Sequence, residues 1–120
     1  MTEIIHHILC VEDHEDTCEM LKVLLADYKV TAVGSCAEAL QKAKTMRINL
    51  YLLDNWLPDG TGIELCKQVR KIHPTTPIVF YSAAALCSDR EEALEAGANC
   101  YLVKPVDISK LLFVIVGLIQ

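Results

Sequence analysis

Five residues with reactive or charged side chains follow directly after apolar segments of this 120-residue chain. They are Glu12, Asp13, Asp54, Ser82 and Lys104. Three carboxylates held close together repel one another unless their pKa values rise or a cation lies between them. Mg²⁺ suits such a group, because it prefers oxygen ligands and usually takes one or two carboxylates together with water and phosphate oxygens. The three acidic residues therefore predict a magnesium site.

The lysine and the serine would complete a site for a phosphoryl group. A lysine supplies a compact positive charge and a hydroxyl supplies a hydrogen bond, which are the two interactions that a transferring phosphoryl group needs. A carboxylate can itself attack phosphorus and form an aspartyl phosphate. Asp54 is the main candidate nucleophile, because it ends the apolar run Ile48–Leu53 and precedes a turn rich in proline and glycine.

These residues must be positioned by the apolar segments before them. Five short apolar or β-branched runs alternate with five segments of helical periodicity. The predicted strands are His7–Val11, Val30–Val33, Leu50–Leu53, Ile78–Tyr81 and Cys100–Val103. The first, third and fourth are almost continuously apolar, as expected for parallel strands that helices cover on both faces. The alternation predicts a doubly wound α/β domain whose site lies beyond the carboxyl ends of the strands.

Apolar spacing and capping residues predict the helices. Apolar residues three and four positions apart form one stripe in the first helix and another in the third: Thr17, Met20, Leu21, Leu24 and Leu25, then Ile63, Cys66 and Val69. We expect Ser35 to cap the second helix and Asp107 to cap the fifth. Ser88–Glu91 is expected to form a capping box on the fourth helix, which Gly97 ends.

Length and charge exclude several classes of protein. The 120 residues, 52% of them hydrophobic, fit one compact domain covering residues 1–120. A formal net charge of −5 argues against a surface that binds nucleic acid, which needs clustered lysine and arginine. The N-terminus shows no signal peptide, and the longest apolar run is far shorter than the roughly 20 residues that span a bilayer. We therefore expect a cytoplasmic protein that does not bind a membrane.

The six cysteines are spread along the chain without any C-x-x-C pair. They are Cys10, Cys18, Cys36, Cys66, Cys87 and Cys100, and each lies in an apolar or helical segment. Buried free thiols are therefore favoured over a disulfide framework or a zinc site.

The strand-end residues and the motifs around them resemble the receiver domains of two-component response regulators. The matching segments are VED at 11–13, LLDNWLPDGTG at 52–62, SA at 82–83 and YLVKP at 101–105. The resemblance covers essentially the whole chain, with the motifs in the family's order. It implies a flavodoxin-like fold with a five-stranded parallel sheet in the order 2-1-3-4-5 and helices on both faces.

The resemblance also implies a metal site and an acceptor. Asp54 would accept a phosphoryl group from a phosphohistidine. Asp13 and Asp54 would bind Mg²⁺ directly, together with the backbone carbonyl of Trp56, and Glu12 would act directly or through water.

Further residues would hold the phosphoryl group and change position when it binds. The resemblance implies that Lys104 pairs with the acceptor carboxylate or the phosphoryl oxygens, and that the peptide bond from Lys104 to Pro105 is cis. The Ser82 hydroxyl and the Ala83 amide would move to hold the phosphoryl group, and Tyr101 would swing inward. The result would be a small repacking of the face formed by the fourth helix, fifth strand and fifth helix.

The partners that the resemblance implies are a histidine kinase or histidine phosphotransfer protein upstream and a downstream protein or output domain. A stand-alone regulator is one form of this hypothesis, because no effector sequence follows Gln120. The fifth helix is apolar on nearly every side from Leu111 to Val116, so part of it should be exposed. Either a following segment covers it, or a homodimer forms through the face of the fourth helix, fifth strand and fifth helix.

Two other functions fit part of the pattern. A phosphatase of the haloacid dehalogenase type also uses a strand-end aspartate and Mg²⁺, but it requires a second aspartate where Trp56 stands. A degenerate receiver that acts only as a protein-interaction scaffold stays open because of the bulk of Trp56. A signalling phosphoacceptor rather than an enzyme remains the main hypothesis. Under this hypothesis, we expect slow autodephosphorylation, because the Trp56 indole can keep water from the phosphoryl group.

Three other patterns are interpreted as structural. Asp59 lies between Pro58 and Gly60, where turn chemistry favours aspartate. The segment 60–62 lacks the spacing of a dinucleotide-binding or P-loop motif and predicts a tight turn and a helix cap. His6 and His7 are adjacent in an extended segment and point to opposite faces, so they cannot converge on a metal.

Overall fold

The computed structural model describes residues 5–105 and 107–119. Its central sheet has five parallel strands: β1 (His7–Val11), β2 (Lys29–Val33), β3 (Leu50–Leu53), β6 (Ile78–Ser82) and β7 (Cys100–Val103). Their spatial order is β2-β1-β3-β6-β7, which confirms the predicted order 2-1-3-4-5. Two short strands between β3 and β6, β4 (Trp56–Leu57) and β5 (Gly60–Thr61), form an antiparallel hairpin that the sequence pattern predicted only as a turn.

Five helices cover the two faces of the sheet. They are α1 (Glu15–Leu24), α2 (Cys36–Thr45), α3 (Gly62–Ile72), α4 (Cys87–Glu95) and α5 (Ile108–Ile119). Buried residues of α2, α3 and α4 pack with one set of alternating strand side chains, and those of α1 and α5 pack with the other. This division follows from the strand repeat, which sends successive side chains to opposite faces. The doubly wound α/β architecture is therefore confirmed.

Most of the predicted helix boundaries are confirmed by hydrogen bonds. The Ser35 hydroxyl accepts a bond from the Glu38 amide at 3.2 Å, and the Asp107 carboxylate accepts one from the Ser109 amide at 2.9 Å. After α4, the amide of Gly97 donates to the Leu94 carbonyl, and the next amide donates to the Ala93 carbonyl. Gly97 has a φ of 114°, which glycine adopts most readily, so it ends the helix as predicted.

Two helix predictions are wrong in detail. α4 begins at Cys87 rather than after Ser88, because the Asp89 carboxylate accepts a hydrogen bond from the Leu86 amide at 3.1 Å and so holds the first turn two residues earlier. In α1, Met20 is exposed, although it was predicted to face the core. Only Leu21 and the following Leu25 of the predicted stripe are fully buried, because residues four apart share one face of a helix.

The cysteines form no disulfide, and all six lie among the described residues. Cys10 and Cys66 are buried, whereas Cys87 is exposed at the start of α4, so the prediction of uniformly buried thiols is wrong there. Among the helices that the structure describes, none is long and apolar enough to cross a membrane.

Candidate functional site

The three predicted carboxylates meet at the carboxyl edge of the sheet. β1 and β3 are parallel and adjacent, with Val11 opposite Leu53, so the residues that follow them leave the sheet side by side. The Asp54 amide donates to the Val11 carbonyl at 3.0 Å, which holds the two strand ends together. One carboxylate oxygen from each of Glu12, Asp13 and Asp54 lies within 4.8 Å of the others.

Lys104 follows β7, which β6 separates from β3 in the sheet, and its side chain reaches these carboxylates. Its amide donates to the Ser82 carbonyl at 2.8 Å, which fixes the backbone just beyond β7. Its ammonium nitrogen lies 2.6 Å from Glu12 Oε1 and 3.5 Å from Asp54 Oδ2, and 5.3 Å from the centre of the Tyr81 ring. The peptide bond that follows, to Pro105, is cis.

The crowding of charge separates the pKa values of the two buried carboxyls. Burial and hydrogen bonding with Asp54 raise the pKa of Glu12 to about 7, against the opposing effect of Lys104. Burial would also raise the pKa of Asp54, but hydrogen bonds with Glu12 and Ser82 and the charge of Lys104 lower it below its usual range. Burial opposes the charge of Lys104, but the contacts with Glu12 and Asp54 outweigh it and raise the pKa of the lysine. Near neutral pH, Asp54 is therefore the ionised carboxylate, which a nucleophile requires.

Ser82 and Tyr101 lie on β6 and β7, the two strands that follow β3 across the sheet. The Ser82 hydroxyl is buried at the end of β6 and accepts a hydrogen bond from the Ala84 amide at 3.2 Å. The Tyr101 hydroxyl donates to the Ala84 carbonyl at 2.6 Å, and its ring stacks on Phe80 with 5.4 Å between centroids. Tyr101 is only 5% exposed, so its side chain already occupies an inward position. Ala83, between the serine and this contact, is exposed.

Asn55 and Gly62 shape the site but were not predicted to do so. The Asn55 amide donates to Asp54 Oδ1 at 2.7 Å, and its buried side-chain oxygen accepts from the Ile63 amide at 3.3 Å. A Cβ atom on Gly62 would overlap the carbonyl oxygen of Asp54 and the ring of Phe80. The signal for Asn55 is its type, a short amide in the turn directly after the acceptor, where such side chains bond to nearby backbone.

The hairpin of β4 and β5 presents Trp56 two residues after Asp54. The Trp56 side chain is 60% exposed and does not belong to the core. Asp59, at the tip of this hairpin, accepts hydrogen bonds from the amides of Cys36 at 2.8 Å and Ala37 at 3.0 Å. Asp59 therefore has a structural role, as predicted, and that role is to attach the hairpin to the first turn of α2. The Thr61 hydroxyl caps α3 by accepting from the Glu64 amide at 3.2 Å, also as predicted.

The side chains present fit a hard divalent cation. All three donors are carboxylates, the ligand type that Mg²⁺ prefers. Glu12 Oε2 is buried and has no hydrogen-bond partner among the described residues, although a buried carboxylate oxygen normally has one. A cation would satisfy that oxygen and offset the repulsion that raises the pKa of Glu12.

The two histidines do not join this site. The ring of His7 lies against β2, with Nε2 at 2.7 Å from the Thr31 hydroxyl. His6 Nδ1 is buried without a hydrogen-bond partner among the described residues.

Comparison with known proteins gives one consistent result. Residues 8–116 match the sequence profile of the response regulator receiver domain. The chain is 36% identical over 108 residues to response regulator ArlR of Staphylococcus epidermidis, covering 88% of this chain and 49% of that protein. It is also 36% identical over 108 residues to the uncharacterized transcriptional regulatory protein YkoG of Bacillus subtilis, covering 88% of this chain and 47% of YkoG. This chain thus spans about half the length of these curated relatives.

Solved structures agree in fold over nearly the whole chain. A putative response regulator from Chloroflexus aurantiacus superposes with a TM-score of 0.91 at 33% identity, covering 97% of this chain and 98% of that one. A receiver domain protein described as CheY-like, from Methanospirillum hungatei, superposes with a TM-score of 0.90 at 29% identity, covering 95% and 93% of the two chains.

Proposed function

This chain belongs to the response regulator receiver domain family of two-component systems, and from that premise we propose that it accepts a phosphoryl group on Asp54. The donor is a phosphohistidine on a histidine kinase or a histidine phosphotransfer protein. The observation that carries the proposal is the meeting of Glu12, Asp13, Asp54 and Lys104 at one sheet edge, with Ser82 beside them. Carboxylates and a lysine are stable when each faces water, so the stability of the fold does not require these side chains to gather at one edge of the sheet.

The proposed cation is Mg²⁺, held by carboxylate oxygens of Asp13 and Asp54, by Glu12 directly or through water, and by the backbone carbonyl of Trp56. Bound there, it would neutralise negative charge on the phosphoryl oxygens. The unpaired Glu12 Oε2 supports its presence, since that oxygen otherwise stays buried without a partner among the described residues.

Asp54 acts as the nucleophile in this scheme. One of its carboxylate oxygens attacks phosphorus, a P–O bond forms as the P–N bond of the donor breaks, and the electron pair of that bond stays on the imidazole nitrogen. Lys104, 3.5 Å from Asp54 Oδ2, faces the oxygens on which negative charge is concentrated. The amide of Asn55 holds the other side of the carboxylate at 2.7 Å and so fixes the direction of attack.

Ser82, Ala83 and Tyr101 couple this chemistry to the surface. We assign the Ser82 hydroxyl and the Ala83 amide to the phosphoryl oxygens, because Ser82 ends β6 beside Asp54 and Ala83 follows it directly. Movement of this segment changes the position of the Ala84 carbonyl, to which the Tyr101 hydroxyl is bonded. The face of α4, β7 and α5 then repacks and contacts a downstream protein or output domain.

The protein is in this scheme a phosphoacceptor that catalyses only its own phosphorylation and dephosphorylation. Residues 1–120 act as one receiver domain, and the repacked face of α4, β7 and α5 is also the proposed homodimer surface. Nucleic acid and membrane have no part in the proposed site.

The decisive experiment follows the intact mass of the protein after incubation with Mg²⁺ and acetyl phosphate, a small phosphodonor. We expect wild type to gain one phosphoryl group and Asp54→Asn to gain none. Asp27→Asn is the matched control, because Asp27 is an exposed aspartate in the turn before β2. If wild type gains no phosphoryl group in the presence of Mg²⁺, the proposal fails and a scaffold that acts through protein contacts replaces it. If Asp54→Asn is labelled as fully as wild type, the acceptor is a residue other than Asp54 and the proposal also fails.

A further inference from the structure

Asn55 directly follows the proposed acceptor and is buried, although its side chain carries an amide. The residue is 3% exposed, whereas the next residue, Trp56, is 60% exposed. Burying an amide costs free energy unless the group is hydrogen-bonded, and an apolar side chain of similar size would avoid that cost. The hydrogen bonds of Asn55 therefore indicate what an asparagine contributes at this position.

The side chain of Asn55 contacts the first turn of α3. Its Oδ1 accepts a hydrogen bond from the Ile63 amide at 3.3 Å, and the backbone carbonyl of Asn55 accepts one from the Gly62 amide at 2.9 Å. Amides in the first turn of a helix have no acceptor within the helix, so both bonds satisfy groups that would otherwise lack one. Residue 55 is thus attached to α3 by one side-chain bond and one backbone bond.

α3 is a rigid support for this attachment, because much of the helix is buried. The side chains that pack in the core are Ile63, Leu65, Cys66 and Val69. Gly62 lets the helix begin very close to the acceptor turn, since a Cβ atom there would lie 3.1 Å from Asn55 Cα and would overlap the Asp54 carbonyl oxygen. The start of α3 therefore fixes the position of residue 55.

The backbone amide of Asn55 faces the proposed nucleophile. It donates to Asp54 Oδ1 at 2.7 Å and lies 3.4 Å from the Ser82 hydroxyl. The last side-chain torsion of an aspartate is broadly distributed, so a donor at one oxygen decides where the other oxygen points. That other oxygen, Oδ2, lies 3.5 Å from the Lys104 ammonium. With Oδ1 held by the amide, Oδ2 stays on the side of the lysine.

We propose that Asn55 is a positioning residue for the acceptor. Its side chain anchors the acceptor turn to α3, and the anchored amide holds the Asp54 carboxylate in the orientation for attack on phosphorus. The side chain acts through Asp54 and forms no bond to the phosphoryl group. The effect on phosphotransfer rests on the proposed function, whereas the orientation of the carboxylate does not.

The variants separate the orientation of Asp54 from the stability of α3. Asn55→Ala removes the acceptor of the Ile63 amide, and Asn55→Asp keeps an oxygen there and places its charge at the start of α3, where negative charge is favourable. Thr61→Ala is the matched control, because it also removes an acceptor from the first turn of α3, that of the Glu64 amide at 3.2 Å. Asn55→Leu replaces the alanine variant if that variant does not fold.

The first test needs no phosphodonor and no metal. Hydrogen exchange of the residue-55 amide is followed by NMR and expressed as a protection factor, which corrects for the change of side chain. We expect protection to fall roughly tenfold in Asn55→Ala and to stay near wild type in Asn55→Asp and Thr61→Ala. Equal protection in Asn55→Ala and wild type, or an equal loss in Thr61→Ala, overturns the proposal.

The second test measures the rate of phosphorylation against acetyl phosphate concentration at saturating Mg²⁺. We expect the maximal rate of Asn55→Ala to fall roughly tenfold, with Mg²⁺ affinity by calorimetry near wild type, because a misoriented nucleophile slows the chemical step. Asn55→Asp should restore the rate, and Thr61→Ala should retain it. An unchanged maximal rate in Asn55→Ala overturns the role in phosphotransfer. If wild type is not phosphorylated while the exchange result holds, the proposed function fails and the orientation of Asp54 by Asn55 stands.

Discussion

Glu12 lies in an environment that disfavours its charged form, because it is buried beside Asp54. Its carboxyl titrates near 4.5 in an unfolded chain and at about 7 when folded, because it is 4% exposed and beside Asp54. Between these values the folded protein binds the extra proton. The free energy of unfolding therefore falls as pH rises through this window, and Glu12 makes its largest unfavourable contribution above pH 7.

Replacing Glu12 with glutamine removes that contribution. Without Mg²⁺ at pH 8 we expect Glu12→Gln to unfold at higher urea concentration, with a gain of about 1–2 kcal/mol, since one pKa unit corresponds to roughly 1.4 kcal/mol and the cost of burying the glutamine amide offsets part of the gain. Mg²⁺ should then stabilise wild type more than the variant. Glu91→Gln, on the exposed side of α4, is the control and should change neither quantity. A Glu12→Gln protein that is less stable than wild type at pH 8 would contradict the expectation.

Substitution of Trp56 tests whether its indole limits the access of water to a phosphoryl group on Asp54. Its indole lies two residues after the acceptor and is 60% exposed, so it is free to cover a phosphoryl group from the solvent side. We expect Trp56→Ala to lose its phosphoryl group several-fold faster than wild type after the donor is removed, measured by intact mass over time. Trp56→Phe retains an aromatic ring and should stay near wild type. An unchanged half-life in the alanine variant would show that the indole does not shield the site.

At the scale of elements, the attachment of the β4–β5 hairpin to α2 by Asp59 places the Trp56 carbonyl. Asp59→Ala removes both hydrogen bonds to the amides of Cys36 and Ala37, which no other side chain on the hairpin replaces among the described contacts. We expect a lower urea midpoint and weaker Mg²⁺ binding. Asp59→Asn keeps one acceptor oxygen and should lie between the two, and Asp27→Ala provides the control for the loss of a carboxylate. Mg²⁺ binding by Asp59→Ala equal to wild type would show that the hairpin is held by other contacts.

The end of α4 is held by Gly97. Its φ of 114° strains any other residue, and a Cβ atom there would overlap the side chain of Arg70, whose guanidinium donates to the Gly97 carbonyl at 2.7 and 2.9 Å. We expect Gly97→Ala to lower the free energy of unfolding by about 1–3 kcal/mol. Gly117→Ala is the opposite control: it lies within α5 with no described atom within 4 Å of the added carbon, and should gain roughly 0.5–1 kcal/mol. Urea unfolding of both variants measures the difference, and equal effects would contradict it.

At the scale of the whole molecule, α5 leaves apolar side chains uncovered. Leu111, Ile115 and Ile119 pack on the sheet, while Phe113, 79% exposed, and Val116 face outward. We expect the solution mass, measured by light scattering, to double when beryllofluoride mimics the phosphoryl group, because the repacked face then buries such side chains. Phe113→Asp should prevent the change, whereas Val23→Asp on α1 should not. A strictly monomeric mass in both states would count against the dimer.

Much of the fold could be predicted because the signals are local. Apolar runs predict β1 and β3 as buried parallel strands with their observed bounds, and the bounds of β7 at the edge of the sheet are also as predicted. The start of α4 could not be predicted as well, since two capping arrangements compete within the six residues 86–91, and only the hydrogen bond from the Leu86 amide to the Asp89 carboxylate decides between them. The hairpin was read as a turn because its strands have two residues each, too short for any periodic pattern.

For the site, the sequence by itself determined which groups meet: acidic, hydroxyl and ammonium side chains placed just beyond parallel strands must converge, because all those strands end at one edge. Only the tertiary structure decided how they share charge and space. The raised pKa of Glu12, the ion pair between Lys104 and Glu12, and the attachment of Asp59 to α2 arise between residues on different elements. Such contacts depend on packing distances of a few ångströms, which no spacing along one chain segment encodes.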